Sequence, residues 1–201
     1  MPRGFTDNEI KRIKTWLISE GEKLFTKYGL KKTSIKDLTE KVGIAQGSFY
    51  KFFSSKEELY FEILEKNEAE IKEEILNDKI LSGQVNKEVF RNFLKKGFEA
   101  VDKYPLIKNM YQGDEYQQLF RKLPKEKMKA HIENDTNDLR PLLTYLKQMG
   151  KLKDCDIDAV SGLLRSLFLL TLHKKEIGEE HFEKTIDLFI ELIVEGLIIE
   201  E

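Results

Sequence analysis

Three histidines, one cysteine and many carboxylates are the groups this chain can offer to catalysis or to a metal, and their spacing serves neither. His131, His173 and His181 are too scattered for a two-histidine motif such as His-Glu-x-x-His. Cys155 stands among Asp154, Asp156 and Asp158, whose charges favour the protonated, weakly nucleophilic thiol. No enzyme, metal or cofactor is expected. A different chemistry gathers between residues 33 and 56. Thr33, Ser34, Lys36, Tyr50 and Lys56 carry hydroxyl or ammonium donors that can reach phosphates. Gln46, Ser48 and Lys51, beside Ala45 and Gly47, offer an amide, a hydroxyl and an ammonium of the kind that read base edges. Gly47 adds no side chain where close backbone approach is needed.

Those groups must be held by short elements, and the punctuation of the chain supplies them. Thr6-x-x-Glu9 is a capping box opening a helix with Ile10, Ile13, Leu17, Leu24, Phe25 and Tyr28 at helical spacing, closed by Gly29. Thr33 or Ser34 caps a second, short helix with Ile35, Leu38 and Val42 inward, and Gly43 ends it. A third runs from Ala45 to Phe52, and Ser55-x-x-Glu58 opens a long fourth through Leu59, Ile63, Ile71 and Ile75. Two short helices joined by a tight Gly-containing turn and braced by a longer one make a helix-turn-helix over residues 34–53. An ordinary helical hairpin with a polar outer face satisfies the same spacing.

The run Leu17 to Phe25, Tyr28-Gly29, Thr33 to Leu38, Val42 to Tyr50 and Phe53-x-x-Lys56-Glu57-x-Leu59 closely resembles the DNA-binding domain of the TetR/AcrR family of bacterial repressors. The resemblance implies a homodimer that binds a palindromic double-stranded operator through helix three, with a C-terminal domain that binds a small molecule and releases the DNA. Two positions depart from the family. Glu20-Gly21 replaces the usual pair of small alanines, and Ala45 replaces the usual Ser or Thr cap of helix three.

Charge separates the same two parts. Residues 1–56 hold twelve Lys/Arg against six Asp/Glu, a net of +6, which leaves −8 for residues 57–201. A basic head on an acidic body suits a polyanion partner. We divide the chain there, into a helix-turn-helix domain (1–56) and a helical effector-binding and dimerisation domain (57–201). Further helices are expected at about 86–103, 105–122, 125–149, 157–175 and 179–199, and strand alternation is absent, so the fold class is all-α. The longest stretch without Lys, Arg, Asp or Glu is the nine residues Val42–Tyr50, too short to span a bilayer. With no secretory signal at the N-terminus and a lone cysteine, the expected location is the cytoplasm, away from membranes.

The body carries two further signals. Seven aromatics fall between residues 90 and 120, and Phe93, Phe98, Tyr104, Tyr111, Tyr116 and Phe120 either line a pocket for a small, largely apolar effector or simply pack a core. The last helices carry more apolar surface than one core needs: Leu163, Leu167 and Phe168 on one, and on the other the stripes Phe182/Ile186/Phe189/Ile193/Leu197 and Leu188/Leu192/Ile199. A two-fold contact with a second copy buries the excess, and we assign it to Leu163, Leu167, Phe168, Phe189, Ile193 and Leu197. What the resemblance and these signals lead us to expect is a ligand-responsive transcriptional repressor. The rival is a helical protein-interaction or ligand-carrier module whose head no longer binds DNA, against which Gly47, Tyr50, Lys56 and the +6 head weigh.

Overall fold

The computed structural model describes residues 5–76, 80, 82, 84–112, 115–137, 139–170 and 173–200. Their backbone is helical: α1 (Asp7–Lys32), α2 (Ile35–Val42), a 3₁₀ helix (Gln46–Lys51), α3 (Lys56–Ile75), α4 (Lys87–Lys103), α5 (Pro105–Gln112), α6 (Glu115–Lys122), α7 (Lys125–Asn137), α8 (Arg140–Gln148), α9 (Ile157–Leu170), α10 (Lys174–Ile177) and α11 (Phe182–Leu197). An isolated antiparallel pairing of Leu152 with Ile198 is the β-type contact they make. Packing divides the chain into two compact units, Met1–Ala69 with Tyr104–Lys125, and Glu70–Lys103 with Glu126–Glu201. The division at residues 56/57 follows charge, whereas packing carries the first unit on to Ala69 and adds a segment from further along the chain.

In the first unit, α1 opens on the expected capping box. Thr6 and Glu9 exchange side-chain-to-backbone bonds, and the Thr6 backbone N–H foremost holds the Glu9 carboxyl below its usual range. The helix is interrupted at Gly29, which takes φ 77°, a conformation costly for residues with a Cβ. Ser34, rather than Thr33, caps α2: Asp37 N–H donates to the Ser34 hydroxyl, and the Asp37 carboxylate accepts from the Ser34 N–H at 2.8 Å. The third box is split. Ser55 hydroxyl accepts from Glu58 N–H, but the Glu58 carboxylate turns to the N–H and hydroxyl of Ser54.

Gly21 explains its own departure from the family. A Cβ built there would lie 3.1 Å from the terminal methyls of Ile63 and of Leu59, so glycine lets α1 seat against α3 more closely than alanine does. Leu17, Phe25, Leu38, Phe49, Leu59 and Tyr60 fill the core around that contact. Tyr60 and Phe25 meet edge to face with ring centroids 5.1 Å apart.

The second unit packs Phe90, Phe93, Leu143, Leu164, Ile190 and Val194 into its own core. Along its surface Lys87, Arg91 and Lys95 of α4 pair with Glu195, Glu191 and Asp187 of α11, an antiparallel ladder with a rung every four residues. Such exposed pairs fix register more than they add stability. The Arg91 guanidinium, bonded to both Glu191 oxygens, holds that carboxyl below its usual range.

Three expected helices are shorter or divided. The 125–149 segment forms α7 and α8, with Pro141 in the first turn of α8, where its missing N–H costs nothing. The 105–122 segment contains α5 and α6, and 157–175 contains α9 and the start of the single turn α10. No helix among the described residues is long and apolar enough to cross a membrane.

Candidate nucleic-acid interface

The site is built from α2 outward. Gly43 ends that helix in the left-handed conformation (φ 76°, ψ 33°), its N–H reaching Thr39 O at 2.9 Å, so the chain reverses within three residues. Ala45 is extended and supplies no side-chain cap. The next six residues form a 3₁₀ helix instead of the α-helix expected from Ala45 to Phe52. A missing cap, a glycine at the second position and a length under two turns are each unfavourable to an α-helix.

With three residues per turn, Gly47 and Tyr50 share one edge, Ser48 and Lys51 another, and Phe49 and Phe52 turn inward. Phe49 is fully buried, its ring 5.8 Å from those of Tyr50 and Phe53. This anchors the element from below. Ala45, Gln46, Gly47, Tyr50 and Lys51 are exposed, Tyr50 at 59%, while Ser48 is half-buried. Lys36 is exposed on α2 and only loosely paired with Glu40, at 3.7 Å.

Gly47 has no structural reason to be glycine. Its φ is not positive, and a Cβ added there would meet no protein atom within 4 Å. Nothing inside the chain forbids a side chain at this exposed point.

Three residues expected at phosphates are otherwise engaged. Thr33 is buried, and its hydroxyl donates to Gly29 O at 2.9 Å, because it closes the corner after the Gly29 break. Lys56 turns its ammonium onto backbone carbonyls, Leu30 O at 2.6 Å and Thr33 O at 2.7 Å. The Ser34 hydroxyl is exposed, but its proton goes to the Asp37 carboxylate at 2.6 Å. Conversely, Phe5 joins the site unforeseen: its ring lies 6.0 Å from Phe52, and the Lys51 ammonium sits 5.3 Å over it. An aromatic immediately before an N-cap, as in a hydrophobic staple, was its signal in the sequence.

The aromatics of the body divide between the two units. Phe93 is core, packed on Phe90 at 5.7 Å, and half-buried Phe98 packs against the same cluster. Core packing, rather than pocket lining, is therefore the role of these two. Tyr104, half-buried, belongs to the first unit, and the side chains of Tyr111, Tyr116 and Phe120 lie outside the described residues. A cavity of about 530 Å³ lies on the head, lined by Leu24, Tyr28, Lys32, Thr33, Asp37, Glu40 and Lys41 and by none of these aromatics.

The assignment of the self-contact also needs correction. Leu167, Ile193 and Leu197 are buried in the unit's own core, and Phe168 is outside the described side chains. Core positions 182, 186, 190, 193, 194 and 197 follow the 3.6-residue period, which leaves Leu188 (60%) and Leu192 (62%) on the solvent side, with Phe189, Ile199 and, on α9, Leu163 also exposed.

A short, aromatic-anchored element carrying an amide, a glycine and a phenol outward, set after a capped helix and a left-handed turn, defines a helix-turn-helix DNA-binding regulator. Residues 17–63 match the family profile of the bacterial regulatory proteins of the tetR family. Over those residues the chain carries the DNA-binding domain of the TetR family. Its fold over nearly the whole length is that of a TetR-family transcriptional regulator from Pectobacterium atrosepticum (TM-score 0.68, 18% identity, 98% of this chain and 99% of that one). A TetR-family regulator from Haemophilus influenzae (0.60, 17%, 94% and 98%) and the ketosteroid transcriptional regulator of Mycobacterium tuberculosis (0.56, 20%, 100% of both) share it. No curated protein sequence matches the chain.

Proposed function

We propose that this protein is a cytoplasmic repressor that binds a palindromic operator as a homodimer and is released from it by a small, largely apolar effector. The observation that carries the DNA reading is Gly47, a glycine the fold does not need, at the tip of an exposed element. At this exposed position the absence of a side chain leaves the backbone free to approach a base pair closely. Lys36 and Tyr50 serve the phosphates, as does Lys51, reassigned here from the base edges expected of it, while Gln46 and Ser48 serve the base edges and Ala45 leaves the approach clear. The dimer reading is supported by exposed Leu163, Leu188, Phe189, Leu192 and Ile199, which a solvated surface does not favour. The effector reading rests on Tyr104, Tyr111, Tyr116 and Phe120, since Phe93 and Phe98 are committed to the core. No catalytic role is assigned.

Binding of the protein to its own upstream DNA, measured from low to high salt, tests the function. Lys36 and Lys51 of two heads on four phosphates give a slope of about −3.6 in log K against log[salt]. A slope near zero would exclude operator binding. A second result separates reading from anchoring. Gln46→Ala costs about 1–3 kcal/mol on the operator and relaxes preference at one base position per half-site, because the amide can bond adenine N6 and N7. An unchanged base-preference profile from a randomised operator library removes Gln46 from that role.

A further inference from the structure

Leu24 and Tyr28 are one helical turn apart on α1, and Lys32 follows the Gly29 break at its end. On α2, Asp37, Glu40 and Lys41 are three and four residues apart and therefore share one side of the helix. The buried residues of α2 are Leu38, Thr39 and Val42, so this trio stands beside the core rather than in it. Together with Thr33 at the corner, the six side chains line the cleft of about 530 Å³. That volume is in the range of small-molecule sites.

The charges around the cleft are not equally free. The Asp37 carboxylate accepts from the Ser34 N–H at 2.8 Å and from its hydroxyl at 2.6 Å, and Glu40 faces Lys36 at 3.7 Å. Lys32 and Lys41 are exposed and hold no ion pair among the described residues. Lys27 adds an ammonium 5.0 Å from the centre of the Tyr28 ring. Four ammoniums, those of Lys27, Lys32, Lys36 and Lys41, thus attend two carboxylates that already have partners. Leu24 and the Tyr28 ring, 48% exposed, supply the apolar part of the lining.

We propose that this cleft is a binding site for a small organic acid, its flat apolar body against Leu24 and the Tyr28 ring and its carboxylate paired with the Lys32 and Lys41 ammoniums. Excess positive charge favours an anion over a neutral or cationic molecule of the same shape. The site is lined by none of the aromatics assigned to the effector, and it rests on neither the operator reading nor the effector reading.

Calorimetric titration of the full chain with naphthoate, naphthamide and naphthylmethylammonium tests the site. The three probes share an aromatic body and differ in charge. Naphthoate should bind with a Kd below about 1 mM and about tenfold more tightly than the amide, with the ammonium compound weakest. Lys32→Gln combined with Lys41→Gln should bring naphthoate down to the level of the amide and leave the amide unchanged. Tyr28→Ser should weaken both. All three side chains are exposed, and the helical spectrum should persist in both variants. Absence of saturable naphthoate binding, or a wild-type protein that does not prefer the acid, overturns the proposal without any substitution. Naphthoate binding that both variants leave unchanged overturns it as well, because the acid is then held elsewhere on the chain.

Discussion

Gly47→Leu should leave the thermal midpoint of the protein unchanged or slightly raised and reduce operator affinity about 100-fold or more, equivalent to roughly 2.7 kcal/mol of binding free energy. The two halves of that expectation have separate causes. Within the chain the new side chain projects from an exposed residue of negative φ toward space where no protein atom lies within 4 Å, so nothing is displaced. Removing a glycine also narrows the unfolded ensemble, which favours folding by about 0.4–1 kcal/mol where the backbone is compatible. In the proposed complex the same side chain would stand between the 3₁₀ helix and the floor of the groove, and the helix would have to lift away from the contacts it makes there. Calorimetry and anisotropy titration of a labelled operator read the two effects independently. Unaltered DNA affinity would remove Gly47 from the interface and with it the main support for the proposed function.

The second large effect concerns the self-contact. Leu188→Glu combined with Leu192→Glu should convert the protein from a dimer to a 23.6 kDa monomer that keeps its helical spectrum. Both residues are about 60% exposed in the single chain, so the new carboxylates remain solvated when the chain is alone and meet an apolar partner only when two chains associate. Operator affinity should fall by about 10²–10⁴, because two linked half-site contacts become independent ones. Ile193→Glu is the contrasting variant. Ile193 is 6% exposed within the chain's own core, and an unpaired charge there costs several kcal/mol, enough to unfold the unit. Sedimentation and circular dichroism separate the two results. A double mutant that stays dimeric would place the contact elsewhere.

What the sequence made legible was whatever is written at short range. The Thr6/Glu9 box, the Gly29 and Gly43 stops and the aromatic anchor Phe49 lie within a few residues of what they control, and spacing alone exposes them. That the Lys56 ammonium meets the carbonyls of Leu30, Lys31 and Thr33 could not be foreseen, because a backbone acceptor leaves no mark in residue type. Thr33 and Ser34 were indistinguishable as caps, since each is a hydroxyl at a possible helix start; the corner set by Gly29 buries one and exposes the other. On α11 the apolar residues at 188, 189, 192 and 193 satisfy two faces of one helix, and only packing against α4 and the rest of the core selects between them. The same tertiary choice decides that Phe93 fills a core.

Trp16 is the sole tryptophan of the chain, half-exposed on α1 with the Arg12 guanidinium 5.1 Å from its ring centre. Indole emission from this protein is consequently an optical signal of the DNA-reading unit alone, while far-ultraviolet ellipticity, summed over all helices, is weighted toward the larger remainder of the chain. In a denaturant titration the two curves coincide only if both units melt together. If they separate, the gap between their midpoints measures how far either unit can loosen while the other stays folded, a freedom that any ligand-driven change in this protein must draw upon.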